Sequence, residues 1–220
     1  MLATATTILT QVYSDRTAAR MLSRSLKANQ VIPPCVEATV LQLFLLRRGP
    51  MLGPILQHAD DIDCIRCLFL QAEYEACARI LQPAFFNVHS DGSLVQVPIE
   101  DVALRPNRVL LLDHFTDIFV WSGRNTVGPE FDAMRARAQS VATQLSSSRF
   151  PRPYVMQFGE GHSMARWLLC RLIPSHKDAL EAIMVSFPEL AQLPPAEVDA
   201  LLQFHDTDDE SYRQFRQRLA

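Results

Sequence analysis

Residues able to do chemistry gather in a few short stretches. Gly159-Glu160-Gly161-His162-Ser163-Met164-Ala165-Arg166-Trp167 holds an imidazole, a hydroxyl and a guanidinium within five positions. A hydrolytic site would need Ser163 activated by a neighbouring base with an acid behind it, and no nucleophile elbow or partnered acid is present. The sequence therefore assigns Ser163 to capping the helix after the glycine turn. Cys64 and Cys67 form a lone CxxC preceded by Asp60, Asp61 and Asp63, a pattern that invites redox or metal chemistry. No second ligand pair accompanies it, and the spacing of three places both thiols on one apolar helix face, so buried structural thiols are expected. Asp206, Asp208, Asp209 and Glu210 lack the glycine turn and terminal glutamate of a calcium loop and read as a helix cap. Trp121 and Trp167 are expected in the core or at an interface, with nothing making them a stacking platform for bases. These stretches call for no metal and no cofactor.

The elements that carry these residues change character along the chain. Residues Leu2 to Leu26 show helical spacing; Cys35 to Leu46 is a second helical segment; Gly53-Pro54 opens a short helix toward Gln57. Asp60, Asp61 and Asp63 start an amphipathic helix running through Leu81, with Pro83 as the stop. Residues 1–82 thus read as an all-helical domain. From Pro83 the pattern becomes strand-like at Phe85–Val88, Leu94–Val97, Arg108–Asp113 and Asp117–Trp121. The last two runs, joined by His114-Phe115-Thr116, predict a tight antiparallel hairpin. A helix over Glu130–Ser147, a strand over Tyr154–Phe158 and a helix over Met164–Leu172 follow. On that last helix Ala165, Leu168, Leu169 and Leu172 share a face, which leaves Arg166, Trp167, Cys170 and Arg171 on its flank and outer side. Helices are expected over Lys177–Val185, over Ala196–Phe204 and from Ser211 onward. The fold class is α+β, with a second domain over 83–220 built from a mixed sheet flanked by helices.

Composition narrows the setting. Hydrophobic residues make up 48% and charged residues 20% of the 220 positions, as in ordinary globular chains. A net charge of -3 gives no general attraction to nucleic acid or to an anionic membrane. Cys35, Cys64, Cys67, Cys77 and Cys170 are odd in number and lie in apolar stretches, which suits reduced thiols in the cytosol better than a secreted disulfide framework. The longest apolar run, Val40 to Leu46, is too short to cross a bilayer. Met1 opens without a basic n-region, so no secretory signal is expected.

Three blocks carry a family resemblance: RVLLLDHFTDIFVWSG, SSSRFPRPYVMQFGEGHSMARWLLCRLIPSH and the earlier ILQPAFF. Together they resemble the carboxy-terminal region of the Sec twenty-three family, the inner subunits of the COPII coat, and VLQLFLLRRGPMLGPILQHADD is similar to the segment that precedes them there. The resemblance covers Val40 to His176 and extends to the final TDDESYRQFRQRLA; the residues before Val40 match in helical character alone. Where the family has the motif GSQARF, this chain has His162, Met164 and Trp167 in place of its glycine, glutamine and phenylalanine. The family's zinc finger lies amino-terminal to its helical region, and no pair of CxxC motifs exists here to build one, so the sequence reads as a fragment or as a reduced paralogue.

The resemblance implies a gelsolin-like domain and a role in vesicle transport from endoplasmic reticulum to Golgi. The family's arginine finger falls on Arg166, with Ser163 and Trp167 beside it as partner-binding residues. Hydrolysis of GTP develops charge on the transferred phosphoryl group, and a guanidinium supplied in trans accelerates it by roughly a thousandfold or more. Implied partners are a Sar-type small GTPase and the outer and inner COPII subunits, with peripheral association at the endoplasmic reticulum membrane and no nucleic acid. The chain would itself turn over no substrate. From position alone Arg166 is an ordinary solvated helix arginine, and a non-catalytic gelsolin-like interaction module of the coat stays open as the alternative. A relation to actin-binding gelsolins would call for calcium ligands that the sequence does not supply.

Overall fold

The computed structural model describes residues 34–52, 59–203 and 209–219. In chain order its elements are α1 (Pro34–Arg48), α2 (Ala59–Gln71), α3 (Tyr74–Leu81), β1 (Ala84–Val88), β2 (Leu94–Gln96), β3 (Val109–Asp113), β4 (Asp117–Ser122), α4 (Pro129–Ser148), β5 (Tyr154–Gly159), α5 (Ala165–Leu169), α6 (Leu180–Ser186), α7 (Pro195–Gln203) and α8 (Tyr212–Leu219), with short 3-10 turns between several of them. They form two compact units, Met1–Gln82 with Glu210–Ala220, and Pro83–Asp209. The helices expected over Leu2–Leu26 and toward Gln57, and the acidic residues Asp206 and Asp208, lie outside the described residues.

In the helical unit, Pro34 opens α1 with Glu37 in its first turn, and Arg47 and Arg48 close it, charges that complement the helix dipole at both ends. The terminal helix α8, expected with the sheet domain, belongs instead to this unit. Its amphipathic face explains the difference: Phe215 is fully buried with its ring 5.1 Å from that of Phe44 on α1, and the Tyr212 ring lies 5.5 Å from Phe44. Arg47 and Arg218 stack over Phe215 and both reach the Glu210 carboxylate, at 3.2 and 2.8 Å. The Tyr212 hydroxyl donates to the Glu37 carboxylate at 2.7 Å.

The single helix expected through Leu81 is two, α2 and α3, parted at Ala72–Glu73. The Cys77 thiol donates to the Phe69 carbonyl at 3.2 Å, satisfying an acceptor that the end of α2 would otherwise orphan. Cys64 and Cys67, expected buried, are exposed. They share a helical stripe with Asp60, Asp63 and Gln71, four residues away in each case and all exposed, whereas Ile65 supplies the buried side.

The sheet unit is a five-stranded mixed sheet in the order β2-β1-β3-β4-β5. Strands β2, β1, β3 and β4 pair antiparallel, and β4 pairs parallel to β5, a connection that requires a crossover and receives one from α4. All five residues of the central β3 are buried, as a strand covered on both faces demands. One face presents Val88, Val109, Leu111, Ile118 and Val120 to Met134, Ala138 and Ala142 of α4. The other presents Phe85, Leu110, Leu112, Phe119 and Trp121 to Leu168, Leu172, Ile183 and Phe187 from the segments after β5. Burying each of these large side chains stabilises by roughly 1.5–3 kcal/mol, so the two clusters supply most of the driving force for this unit.

The expected hairpin is present. Its turn places Phe115 in the left-handed region at φ 61, and the Asp113 side chain accepts the Phe115 N–H at 3.1 Å. At the far end of β4, Gly123 lies against the Arg105–Pro106 backbone so closely that a Cβ would sit 2.2 Å from the Pro106 carbonyl oxygen. Only glycine fits there.

Candidate functional site

The segment that carries Arg166 begins where β5 ends. The Glu160 amide donates to the Ser122 carbonyl at 2.8 Å, continuing the parallel ladder by one residue. The Glu160 side chain, 6% exposed, accepts the Arg124 amide at 2.8 Å and lies 3.5 Å from the Arg124 guanidinium. The root of the loop is thus tied to the sheet. Gly161, at φ +79 with open space around its α-carbon, turns the chain outward. His162 holds the turn together: its amide donates to the Gly159 carbonyl, its own carbonyl accepts the Ala165 amide, and its ring Nδ1 accepts the Met164 N–H at 3.2 Å. The His162 ring also stacks on Phe158, with centroids 6.3 Å apart.

Ser163, expected to cap the helix, makes no side-chain hydrogen bond there, because the residue before α5 is Met164 and the turn is satisfied by His162. The Ser163 side chain is exposed. Helix α5 is anchored by the fully buried Leu168, with Met164, Ala165, Trp167 and Leu169 packed half-buried against the same cluster. Arg166 points away from that cluster. It is exposed, as the helical wheel predicts, and its guanidinium makes no hydrogen bond or ion pair with any described residue. Trp167 leans on the core through part of its surface and leaves the rest in solvent.

Arg171, expected on the outer side of the same helix, is buried, with a side chain 2% exposed. Helix α5 ends at Leu169, and the tighter turns through Cys170 to Leu172 rotate Arg171 inward. Its guanidinium meets the Asp117 carboxylate at 2.8 Å, donates to the Trp167 carbonyl and covers the Phe119 ring at 4.8 Å. A similar clamp sits at the hairpin, where Arg149 grips both oxygens of the buried Asp113 at 2.6 and 2.8 Å and lies over Phe115. Elsewhere Arg105 and Arg108 converge on Glu189, at 2.9 and 3.1 Å. Burial opposes ionisation of Glu189, but its backbone hydrogen bond and the two guanidiniums outweigh that and hold its carboxyl below the ordinary value. His176 and Ser175 both bond to the buried Asp101, fastening the segment after α5 to the loop before β3. Residue type and spacing do not reveal these pairs, because every one joins positions at least 36 apart in sequence; the one available signal was the placement of Asp113 and Asp117 on either side of the turn of an apolar hairpin.

A cleft of about 390 Å³ opens beside the root of the loop, lined by Leu104, Arg105, Arg124, Glu160, Glu197 and Leu201 among others. Arg166 is not among its lining residues. The exposed guanidinium therefore lies outside this cleft. Among the described residues no group of three or more His, Cys, Asp and Glu side chains could hold a metal ion, and no helix is long and apolar enough to cross a membrane.

A family model described as the gelsolin repeat matches residues 94–168, which run from β2 to the buried anchor of α5. Protein transport protein SEC23 A of Arabidopsis thaliana is 37% identical over 153 residues, 69% of this chain and 17% of that protein. The crystal structure of human COPII-coat protein Sec24c superposes with a TM-score of 0.62 at 14% identity, covering 97% of this chain and 29% of that one, a likeness of fold. This chain therefore spans only a small part of the length of the relatives it matches. The helical segment and mixed sheet described above are α+β, and the chain carries a gelsolin-like region of the Sec twenty-three family.

Proposed function

We propose that this chain acts as a COPII coat subunit-like module in transport from endoplasmic reticulum to Golgi, and that Arg166 enters the active site of a bound Sar-type GTPase. The observation that carries this reading is an exposed guanidinium, unpartnered among the described residues, on a segment whose root is tied down by Glu160 and His162. A guanidinium held inside the fold is paired to a carboxylate there, as Arg171 is to Asp117; one held outward keeps a planar fork of donors for phosphate oxygens. Its position outside the cleft suits work on a partner's nucleotide better than turnover of a substrate of its own. On this reading Ser163 and the exposed part of Trp167 border the contact, outer and inner coat subunits are further partners, and the chain works in the cytoplasm, peripherally on the endoplasmic reticulum membrane and on coated vesicles. The domain that does this is the sheet unit, Pro83–Asp209.

The test is single-turnover hydrolysis by a purified Sar-type GTPase loaded with GTP. Adding this chain should accelerate it by about a thousandfold, and Arg166→Ala should abolish the gain. A folded chain that leaves the rate unchanged would overturn the catalytic part.

A second reading, a coat interaction module that does not stimulate hydrolysis, draws support from His162, Met164 and Trp167, which replace the family's glycine, glutamine and phenylalanine around the arginine. Binding to the GTPase or to coat subunits with hydrolysis unaltered would select it.

A further inference from the structure

Ser163 and Arg166 are three residues apart, both exposed, and neither side chain has a hydrogen-bond or ion-pair partner among the described residues. That combination is unlike Ser146, Ser147 and Ser148, the described serines that precede Arg149. Ser146 is buried and donates to the Pro153 carbonyl at 3.1 Å, and the Ser147 and Ser148 hydroxyls donate to Gln144 and Leu145 carbonyls at the end of α4. The Ser163 hydroxyl bonds to no described residue, and the side-chain bond that shapes the loop is the one from the Met164 N–H to His162 Nδ1. The surroundings also give access. Gly161, His162 and Ser163 are all exposed in succession, and Gly161 has nothing within 4 Å of the place a Cβ would occupy. The nearest carboxylate in the loop, Glu160, is turned inward and held by Arg124, so it does not oppose a second anion at the tip.

We propose that Ser163 is a phosphorylation site, read by a protein kinase that selects an arginine three residues after its acceptor, and that the phosphoryl group then takes up the Arg166 guanidinium. In the transfer the Ser163 Oγ forms a bond to the γ-phosphorus of ATP while the bond to the β–γ bridging oxygen breaks. ADP leaves, and the hydroxyl proton passes to the kinase's base. The product carries a charge near -2 at neutral pH and three strong acceptor oxygens. Residues 162–167 form consecutive turns, with Ala165 N–H on the His162 carbonyl and Trp167 N–H on the Met164 carbonyl, and three residues is the spacing at which side chains meet across such a turn. A tethered phosphate competes with any partner's phosphate at the effective concentration of a short link. The regulatory consequence rests on the reading of Arg166 given above; the modification and the pairing do not.

The experiment uses the full chain. A kinase catalytic domain that selects arginine on the C-terminal side of its acceptor, with ATP, should add one phosphoryl group to the wild type and none to Ser163→Ala at that residue. Phosphoserine installed at 163 should titrate, by phosphorus NMR, about 0.3 pH unit lower in the wild type than in Arg166→Gln, the size expected of an i,i+3 ion pair. Failure of the kinase to modify Ser163 in the folded chain, or titrations that coincide with and without Arg166, would overturn the proposal. With the GTPase present, loss of stimulation on phosphorylation supports the regulatory consequence, and undiminished stimulation by the stoichiometrically phosphorylated chain overturns it. If the unmodified chain does not stimulate at all, the reading of Arg166 fails while the site stands or falls on its NMR titration.

Discussion

The fold treats Arg166 and the two arginines at the hairpin end of the sheet in opposite ways. At the hairpin end, Arg149 and Arg171 turn inward onto Asp113 and Asp117, carboxylates at the end of β3 and the start of β4, and each also covers an aromatic ring. At the end where β5 runs out, Glu160 is satisfied by Arg124, and Arg166, five residues before Arg171 in the same segment, is left facing solvent without a partner among the described residues. The contrast teaches that a guanidinium's role is decided by whether the fold supplies its counter-charge. Where it does, the arginine fastens strands; where it does not, the donors stay available to something outside the chain.

The sharpest way to break this comparison is at the clamp. Arg171→Met strands the mostly buried Asp117 carboxylate and should destabilise the chain by about 3–5 kcal/mol in urea unfolding, while the double variant Asp117→Leu with Arg171→Met should recover most of it. A loss under about 1 kcal/mol would show the pair to be incidental. Arg149→Ala removes two short charge-assisted bonds to Asp113 and should cost roughly 2–3 kcal/mol by the same measurement, less than Arg171 because Arg149 keeps more contact with water.

A smaller effect follows acidification. Glu189 ionises more readily in the folded chain than in the unfolded one, where its ordinary value is 4.5, so its contribution is complete above that value. It is lost as pH falls through the lowered folded value, when the carboxylate that joins Arg105 and Arg108 takes up a proton. Stability followed from pH 6 down to about 3 should fall more steeply in the wild type than in Glu189→Gln, and parallel curves would contradict this. The smallest change is expected at the other arginine. Arg166→Ala should alter unfolding free energy by no more than about 0.5 kcal/mol, because no contact within the fold is removed.

Much of the fold was legible before the structure. The hairpin announced itself through two apolar runs and a three-residue link, and α4 through its helical spacing over Glu130–Ser147. The exposure of Arg166 followed from the position of Leu168 and Leu169 two and three residues on. What the sequence concealed was long-range. Nothing local separates α2 from α3, since Ala72 and Glu73 are good helix formers; the break is held by the Cys77 thiol reaching back to Phe69. Nothing local sends α8 back to Phe44. The wheel placed Arg171 outside because it assumed a helix through Leu172, and the tighter turn after Leu169 brings the side chain to Asp117 instead. The cap assigned to Ser163 is not made, and the side-chain bond of this turn runs from the Met164 N–H to the His162 ring, which stacks on Phe158.

The most direct test of the central claim compares two nucleotide states of a Sar-type GTPase. A guanidinium that acts on the transferred phosphoryl group should make this chain bind the GDP–aluminium fluoride form, which mimics the transition state, more tightly than the form loaded with a non-hydrolysable GTP analogue, and Arg166→Ala should erase that difference while leaving the weaker affinity in place. Equal affinity of the wild-type chain for both forms, or a preference that survives Arg166→Ala, would contradict the account.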